Sequence, residues 1–245
     1  MITIHSDDFG YKNYTDNKII RLISNGALKS VSIISNLVDT KNLKLLENTA
    51  KNQSGVKLGL HINLTEGKSL NDNRYIPSLV QGKNRLYALP KFFLKILFRL
   101  IDENHIEREI NGQIDNLEKR GIRVSILDSH EHVHALSPIA EIVEKIASER
   151  GINTIRSYKN VKNHTLIARL KYNFLKIMSL ISHIIYKGKF DLPSSWKVNS
   201  RQIYSYMSWE GYDYDLSKNN DKALTLVTHP YLPFDSNKSY MWYLV

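Results

Sequence analysis

The sequence predicts one α/β domain built on a parallel sheet or barrel, and three observations support this. Segments with the patterning of strands and of helices alternate along most of the 245 residues. Hydrophobic residues make up 42% of the chain, enough for a sizeable core. Polar clusters follow several predicted strands, where parallel α/β folds place their active sites. No repeat or linker is visible, so we expect a single domain over residues 1–245.

The first part of the chain predicts strands and helices in alternation. Strands are indicated by β-branched runs or by apolar residues with period two, and helices by apolar residues at spacings of three and four. In chain order, we expect a strand at Ile2–Ser6, a helix around Ile19–Ile23, a strand at Ser30–Ile34, a helix at Thr40–Ala50 and a strand at Val56–Leu64.

The second part resumes this alternation after a polar stretch. Thr65–Arg85 is rich in Gly, Asn, Asp and Pro, which predicts an excursion over the surface. Leu86–Ile101, which follows, is apolar and basic. The remaining predicted helices are Ile106–Arg120, Pro138–Arg150 and Leu166–Tyr186, and the remaining predicted strands are Val124–Leu127, Asn153–Arg156 and Ala223–Val227.

Composition excludes several classes of protein. The chain has no cysteine, so disulfides, thiolate metal sites and cysteine nucleophiles are excluded, and any metal must be bound by His, Asp or Glu. The net charge is +10, but the basic residues are scattered, so we interpret them as a solubilising surface and expect no nucleic-acid partner. The N-terminus lacks the features of a signal peptide and no long uncharged apolar stretch is present, which favours a cytoplasmic protein.

Four polar clusters at or near the ends of predicted strands are candidates for chemistry. They are Asp7–Asp8, His61, His130–His134 and His229. Asp8, His61 and His130 would supply one carboxylate and two imidazoles, a donor set that binds a divalent ion and leaves room for water. Beside such an ion, Asp7 could take a proton from water and His229 could protonate a leaving amine.

Each of these clusters also has a structural interpretation. An Asp pair at a strand end often caps a turn or helix, and a lone histidine on a strand is often a half-buried core residue. His130, His132 and His134 would all point to one face if the run stayed extended, which favours metal ligands. The other histidines lie away from the strand ends, and we interpret them as structural: His5, His105, His164 and His183.

These residues also carry a family resemblance. The runs Asp7–Gly10, Gly59–Thr65 and Leu127–His134 resemble the signatures of the YdjC-like carbohydrate deacetylases, which include the chitooligosaccharide deacetylases. Gly151–Arg156 and Thr228–Pro230 resemble two further motifs of that family. The histidine run is specific, whereas Asp-Phe-Gly also occurs in unrelated kinases.

The resemblance implies a (β/α) barrel of about seven mostly parallel strands, related to the polysaccharide deacetylases. It implies removal of an N-acetyl group from an amino sugar, with Mg²⁺ or Zn²⁺ bound by Asp8, His61 and His130. Asp7 would be the general base and His229 the general acid, and a homodimer is expected. Only 15 residues follow Pro230, where the family usually continues with a further helix and strand, so we expect the barrel to be truncated at its C-terminus.

Three alternative functions are considered from the sequence. A basic nucleic-acid binder is the least supported, because the chain has no clustered basic motif. A catalytically impaired relative would bind metal and glycan without turnover. Two histidines and one carboxylate also form the metal site of non-haem iron oxygenases, although the alternation of strands and helices argues against their antiparallel barrels.

Two further segments are both basic and apolar, namely Lys91–Arg99 and Leu166–Tyr186. This composition is consistent with contact to a membrane or lipid-linked sugar, or with ordinary packing or a dimer seam.

Overall fold

The computed structural model describes residues 2–158, 166–197, 204–208 and 224–228. Strands and helices alternate through these residues, as the sequence predicts. The strands are β1 (Ile2–Phe9), β2 (Ser30–Ile33), β3 (Lys57–Ile62), β4 (Val80–Gln81), β5 (Arg85–Leu86), β6 (Ile126–Ser129), β7 (Thr154–Ser157), β8 (Tyr204–Ser208) and β9 (Leu224–Thr228). The helices are α1 (Asn13–Ser24), α2 (Thr40–Lys51), α3 (Leu89–Leu97), α4 (Glu103–Lys119), α5 (Ile139–Glu149) and α6 (Leu166–Lys187).

The central sheet is parallel throughout the described strands. Its strand order is β1-β2-β3-β6-β7-β8-β9, and β9 pairs with β1 on the side opposite β2. β4 and β5 form a small antiparallel pair within the polar stretch. The prediction of an α/β fold with a parallel sheet is therefore confirmed. Because all seven strands run in one direction, their C-terminal ends lie at one edge.

The helices cover the sheet with apolar faces. In α4, Ile106, Ile110, Ile114 and Leu117 recur at spacings of three and four and are fully buried. α3 lies within the apolar and basic stretch, and it buries only part of its apolar surface, through Phe92 and Ile96. None of the described helices has the length and apolar content to cross a membrane.

Most predicted boundaries are close, but α1 begins six residues before Ile19, and a larger lesson comes from the end of β1. That strand continues from Ser6 to Phe9 and so includes both aspartates. The sequence suggested an earlier end because Asp7 and Asp8 are poor strand formers. The strand tolerates them because the C-terminal part of β1 faces a polar interior rather than solvent or an apolar core.

Gly59 in β3 offers a test of the close packing between β3 and β6. A Cβ at this position would lie 2.6 Å from Ile126 Cβ and 2.7 Å from Ile126 O, closer than two such atoms can approach. We expect Gly59→Ala to destabilise the protein by about 1–3 kcal/mol, measured by urea unfolding. Gly82→Ala is the matched control because a Cβ there meets no atom within 4 Å. Equal stability of the two variants would contradict the prediction.

Candidate metal centre

Three predicted ligands meet at the C-terminal edge of the sheet. Asp8 Oδ1 lies 2.8 Å from His130 Nδ1 and 3.2 Å from His61 Nε2. One ligand atom from each of these residues lies within 4.8 Å of the other two. The residues come from β1, from β3 and from the turn after β6, so they are far apart in sequence. The fold therefore brings together a donor set that could hold one metal ion.

An irregularity in β1 directs both aspartates toward this edge. Successive side chains on a regular strand point to opposite faces. The pairing of β1 with β2 shifts register between Ser6 and Phe9, and Asp8 has a left-handed backbone with φ 61°. Such bulges redirect side chains and are frequent beside active sites. As a result Asp7 contacts Arg156 while Asp8 contacts His61 and His130.

A buried carboxylate orients the His61 ring from the side opposite Asp8. Its Nδ1 lies 2.7 Å from Oδ1 of Asp128, which has no exposed surface. An Nδ1–H that donates to Asp128 leaves Nε2, the nitrogen that faces Asp8, as the ligand atom. Carboxylates commonly fix metal-binding histidines in this way. Sequence reasoning did not assign Asp128 a role, although it directly precedes Ser129 and His130 within the histidine motif.

His130 begins a 3₁₀ turn, His130–Ala135, rather than an extended segment. Glu131 and His132 there have left-handed backbones, with φ of 54° and 57°. The expectation that His130, His132 and His134 share one face is therefore wrong, because the turn separates them. The other nitrogen of His130, Nε2, lies 3.3 Å from Glu66 Oε2. His130 thus has a carboxylate on each side, Asp8 and Glu66.

His132 and His134 belong to a neighbouring structural cluster. Tyr158 OH lies 3.2 Å from His132 Nδ1 and 3.4 Å from His134 Nδ1. His134 also contacts Ser129 through its Nδ1 and the Arg156 carbonyl through its Nε2. Burial, helped by the positive charge of Arg156, lowers the pKa of His134 to about 3, so this imidazole is neutral. These contacts support the packing of the turn.

Asp7 sits in an ion-pair network beside the ligands. Arg156 from β7 donates to both of its oxygens, at 2.8 and 2.5 Å, and also to Asp128 at 2.6 Å. His5 Nε2 lies 3.0 Å from Asp7 Oδ1 and 3.1 Å from Asp128 Oδ2. All four side chains are at least 97% buried. The network holds Asp7 in one orientation, with the Arg156 guanidinium against both of its oxygens.

His5, Asp7 and Asp128 also lie close enough together to resemble a second cation site. Arg156 already supplies a fixed positive charge to both of these carboxylates. A dication placed there would be repelled by the guanidinium, which stays protonated in proteins. The group around Asp8 has no arginine contact among the described residues, so we favour it as the metal centre.

The charge balance of the buried groups fits a divalent ion. Asp7, Asp8 and Asp128 carry three negative charges and Arg156 carries one positive charge, so the net charge is minus two when the histidines are neutral. Without an ion, protons on the histidines neutralise part of the negative charge. Burial by itself lowers the pKa of His61, but the charges of Asp128 and Asp7 and hydrogen bonds to Asp128 and Asp8 raise it to about 10. Burial also opposes protonation of His5, and hydrogen bonds with Asp128 and Asp7 raise its pKa nevertheless.

The pKa of Asp8 shows the same competition. Burial raises it, but hydrogen bonds with His130 and His61 outweigh burial and keep the pKa well below its usual value. Asp8 is therefore ionised at neutral pH, as a carboxylate must be to bind a metal ion. An incoming cation must displace the proton on His61, because a protonated imidazole cannot coordinate metal.

The remaining predicted residues are distributed as follows. His229 and His164 lie outside the described residues. His105 contacts Ser78 and Asp102, and His183 contacts Ser137 and Asp191, so both have structural partners away from the centre.

The interpretation of His5 as a residue remote from the site is wrong, because the period of two along a strand places it on the same side of β1 as Asp7. Glu66 and Arg156 were also missed as partners, because their contacts cross between elements.

A family model described as YdjC-like protein matches residues 1–231. The chain belongs to the YdjC-like family. Among curated relatives of this YdjC-like protein, one from Oceanobacillus iheyensis named carbohydrate deacetylase is 24% identical over 74% of this chain and 84% of its own length. Another relative of that name, from Clostridium beijerinckii, is 27% identical over 72% of this chain and 71% of its own length.

A solved structure supports the fold. It is titled a putative cellobiose-phosphate cleavage protein from Enterococcus faecalis, and it aligns with a TM-score of 0.64 at 16% identity. The alignment covers 100% of this YdjC-like protein and 84% of the solved chain. The match to the family model, rather than this structure, confirms the family resemblance inferred from the sequence motifs.

Proposed function

We propose that this YdjC-like protein is a metal-dependent carbohydrate deacetylase that hydrolyses the N-acetyl group of an amino sugar in an oligosaccharide or glycolipid and releases acetate. The observation that carries the proposal is that Asp8, His61 and His130 lie within reach of one shared ion. The buried Asp128 carboxylate contacts His61 Nδ1 and so orients that ring. The curated relatives named carbohydrate deacetylase support it. A homodimer and a cytoplasmic location remain predictions.

We infer that the parallel sheet is a barrel of the polysaccharide-deacetylase type and that one divalent ion is held by Asp8, His61 and His130. Two imidazoles and one carboxylate suit Zn²⁺ better than Mg²⁺, which prefers oxygen ligands. When bound, the ion supplies Lewis-acid chemistry to the amide carbonyl and to water. Asp128 and Glu66 keep the two imidazoles aimed at the shared point.

The chain's own residues account for the proton transfers. Asp7, ionised and fixed by Arg156 and His5, accepts the proton of the water that adds to the amide carbon. The carbon–nitrogen bond then breaks, and a general acid protonates the departing amine. We assign the acid role to His229 on the basis of the family motif. Acetate and the free amino sugar are the products.

Acetate release is the direct test. The protein, stripped of metal with chelator and then supplied with Zn²⁺ or Mg²⁺, is incubated with N-acetylglucosamine, its oligomers and lipid-linked N-acetylated sugars. We expect acetate from at least one acetylated substrate and none from the stripped protein. Stable binding of metal and glycan without acetate would favour the alternative of a catalytically impaired relative.

The oxygenase alternative predicts a different dependence. An iron oxygenase needs Fe²⁺ and dioxygen, whereas the deacetylase works with Zn²⁺ or Mg²⁺ under anaerobic conditions. The parallel pairing of the described strands also differs from the antiparallel barrels of those oxygenases. Activity that requires oxygen would rule out the proposed function.

Glu66 gives a prediction about metal affinity. Glu66→Gln should weaken Zn²⁺ binding by about tenfold, because the charged partner of His130 Nε2 is lost. Isothermal titration of metal-free protein with Zn²⁺ measures the effect. Glu118→Gln is the matched control, since Glu118 is similarly exposed and pairs with Arg150 away from the centre. Unchanged affinity in Glu66→Gln would show that Glu66 does not orient His130.

A further inference from the structure

The inward side of the helix α6 includes three polar residues. Ser179 and Ser182 are fully buried and His183 is 6% exposed. Ser182 Oγ accepts a hydrogen bond from the backbone N–H of Ser137, and His183 Nδ1 lies 2.7 Å from Ser137 Oγ. Surface helices normally bury an apolar stripe and expose polar residues. Tyr172 and Leu175 also pack inward, against the cluster around Trp196, and Tyr186 packs against the main core, while other apolar residues of α6 face outward.

The outward side of α6 carries a continuous apolar stripe. Leu170, Phe174, Ile177 and Ile184 are 59%, 65%, 56% and 36% exposed. Their spacings of four, three and seven residues place them on one side of the helix. Single exposed apolar residues are ordinary, but an aligned row of this kind marks an interaction surface.

The stripe has a neighbour at the C-terminal end of α3. Tyr186 of α6 donates a hydrogen bond to the carbonyl of Ile96, and the Arg99 guanidinium lies 5.3 Å from the Tyr186 ring centroid. Phe98 and Leu100, on either side of Arg99, are 70% and 57% exposed. The apolar surface therefore includes the junction of the two helices.

The charge around this surface is mostly positive. Residues 166–190 contain no Asp or Glu, and neither do residues 85–101. Asp102, Glu103 and Asp191 follow directly at the edges of these two segments. The exposed cations of α6 and the residues just after it are Arg169, Lys171, Lys176, Lys187 and Lys189. Apolar side chains bordered mainly by cations are complementary to anionic lipid headgroups above acyl chains.

We propose that α6 and the end of α3 bind the surface of an anionic membrane. A second copy of the chain fits less well, because pairing this stripe with itself would bring the lysines of α6 against one another, and α6 itself has no carboxylate to oppose them. The stripe would lie in the headgroup region, with the phenylalanines and isoleucines inserted and the lysines against lipid phosphates. This inference does not depend on the proposed deacetylase activity.

Vesicle sedimentation tests the proposal. The full chain is mixed with vesicles of phosphatidylcholine alone or of phosphatidylcholine and phosphatidylglycerol in equal parts. We expect binding to the anionic vesicles only, with release at high salt. Ile177→Glu should lower the partition coefficient at least about tenfold, because an inserted side chain is replaced by a charged one. Leu45→Glu, at an exposed leucine of α2, is the matched control and should bind like the wild type.

The outcomes separate the possible occupants of the surface. Circular dichroism of each variant checks that it is folded, and Lys176→Gln provides a second variant that weakens binding through charge alone. Absence of sedimentation with anionic vesicles would overturn the proposal. So would equal binding by the wild type and Ile177→Glu. A concentration-dependent dimer that Ile177→Glu abolishes, without vesicle binding, would assign the stripe to a second copy instead.

Discussion

Replacing His61 with alanine is expected to abolish metal binding and acetate release together. His61 supplies one of three ligand atoms, and its removal also leaves Asp128 without the partner that lies 2.7 Å away. Loss of a partner that only orients a ligand costs about 10–100-fold in metal affinity, so loss of the ligand itself should cost at least about 100-fold. Metal content after dialysis and titration with Zn²⁺ measure the first effect, and acetate release measures the second.

A histidine variant outside the centre separates this effect from damage to the fold. His105→Ala is suitable, because His105 contacts Ser78 and Asp102 and no proposed ligand. It should retain both metal and activity. If His61→Ala bound Zn²⁺ as tightly as His105→Ala while remaining folded, the proposed metal centre would be wrong.

Asp7→Asn is expected to retain the metal and lose turnover. An amide cannot accept the proton of the attacking water, and general base catalysis contributes roughly 10²–10⁴-fold to such reactions. Asp7 makes its described contacts with Arg156 and His5 rather than with the three ligands. Therefore kcat should fall by that factor, while Zn²⁺ affinity changes much less than in His61→Ala.

The substitution also changes a buried ion pair, and stability must be measured with it. Arg156 keeps its contact with Asp128 at 2.6 Å, so a folded variant is expected. Asp72→Asn, which removes a surface carboxylate paired with Arg74, is the control for the loss of a negative charge. An Asp7→Asn variant with full activity would show that another group is the base.

Much of the fold could be predicted because local patterns determine it. Helix and strand periodicity gave α2, α5 and β2 to within about one or two residues of their observed ends, as buried apolar positions repeat regularly there. The extension of β1 through Asp7 and Asp8 could not be predicted in this way. Its carboxylates are stabilised by Arg156 and by histidines from other elements, which are long-range contacts.

The proposed ligands could be predicted from the sequence, whereas the residues that support them could not. Asp8, His61 and His130 stand out because they lie at or near the ends of strands, in a pattern that a core does not require. Asp128, His5 and Arg156 act through contacts that depend on strand order, which the sequence does not reveal. The turn at His130 could not be foreseen either, because its left-handed residues are not glycines.

The bulge in β1 has a consequence for engineering. A designer who grafted only an Asp-Asp pair onto an ideal parallel strand would obtain one inward and one outward carboxylate, and half of the centre would be lost. The positive φ at Asp8 has to be transferred together with the side chains. Backbone irregularity is thus a component of this centre, and a scaffold search should select for it before matching any ligand.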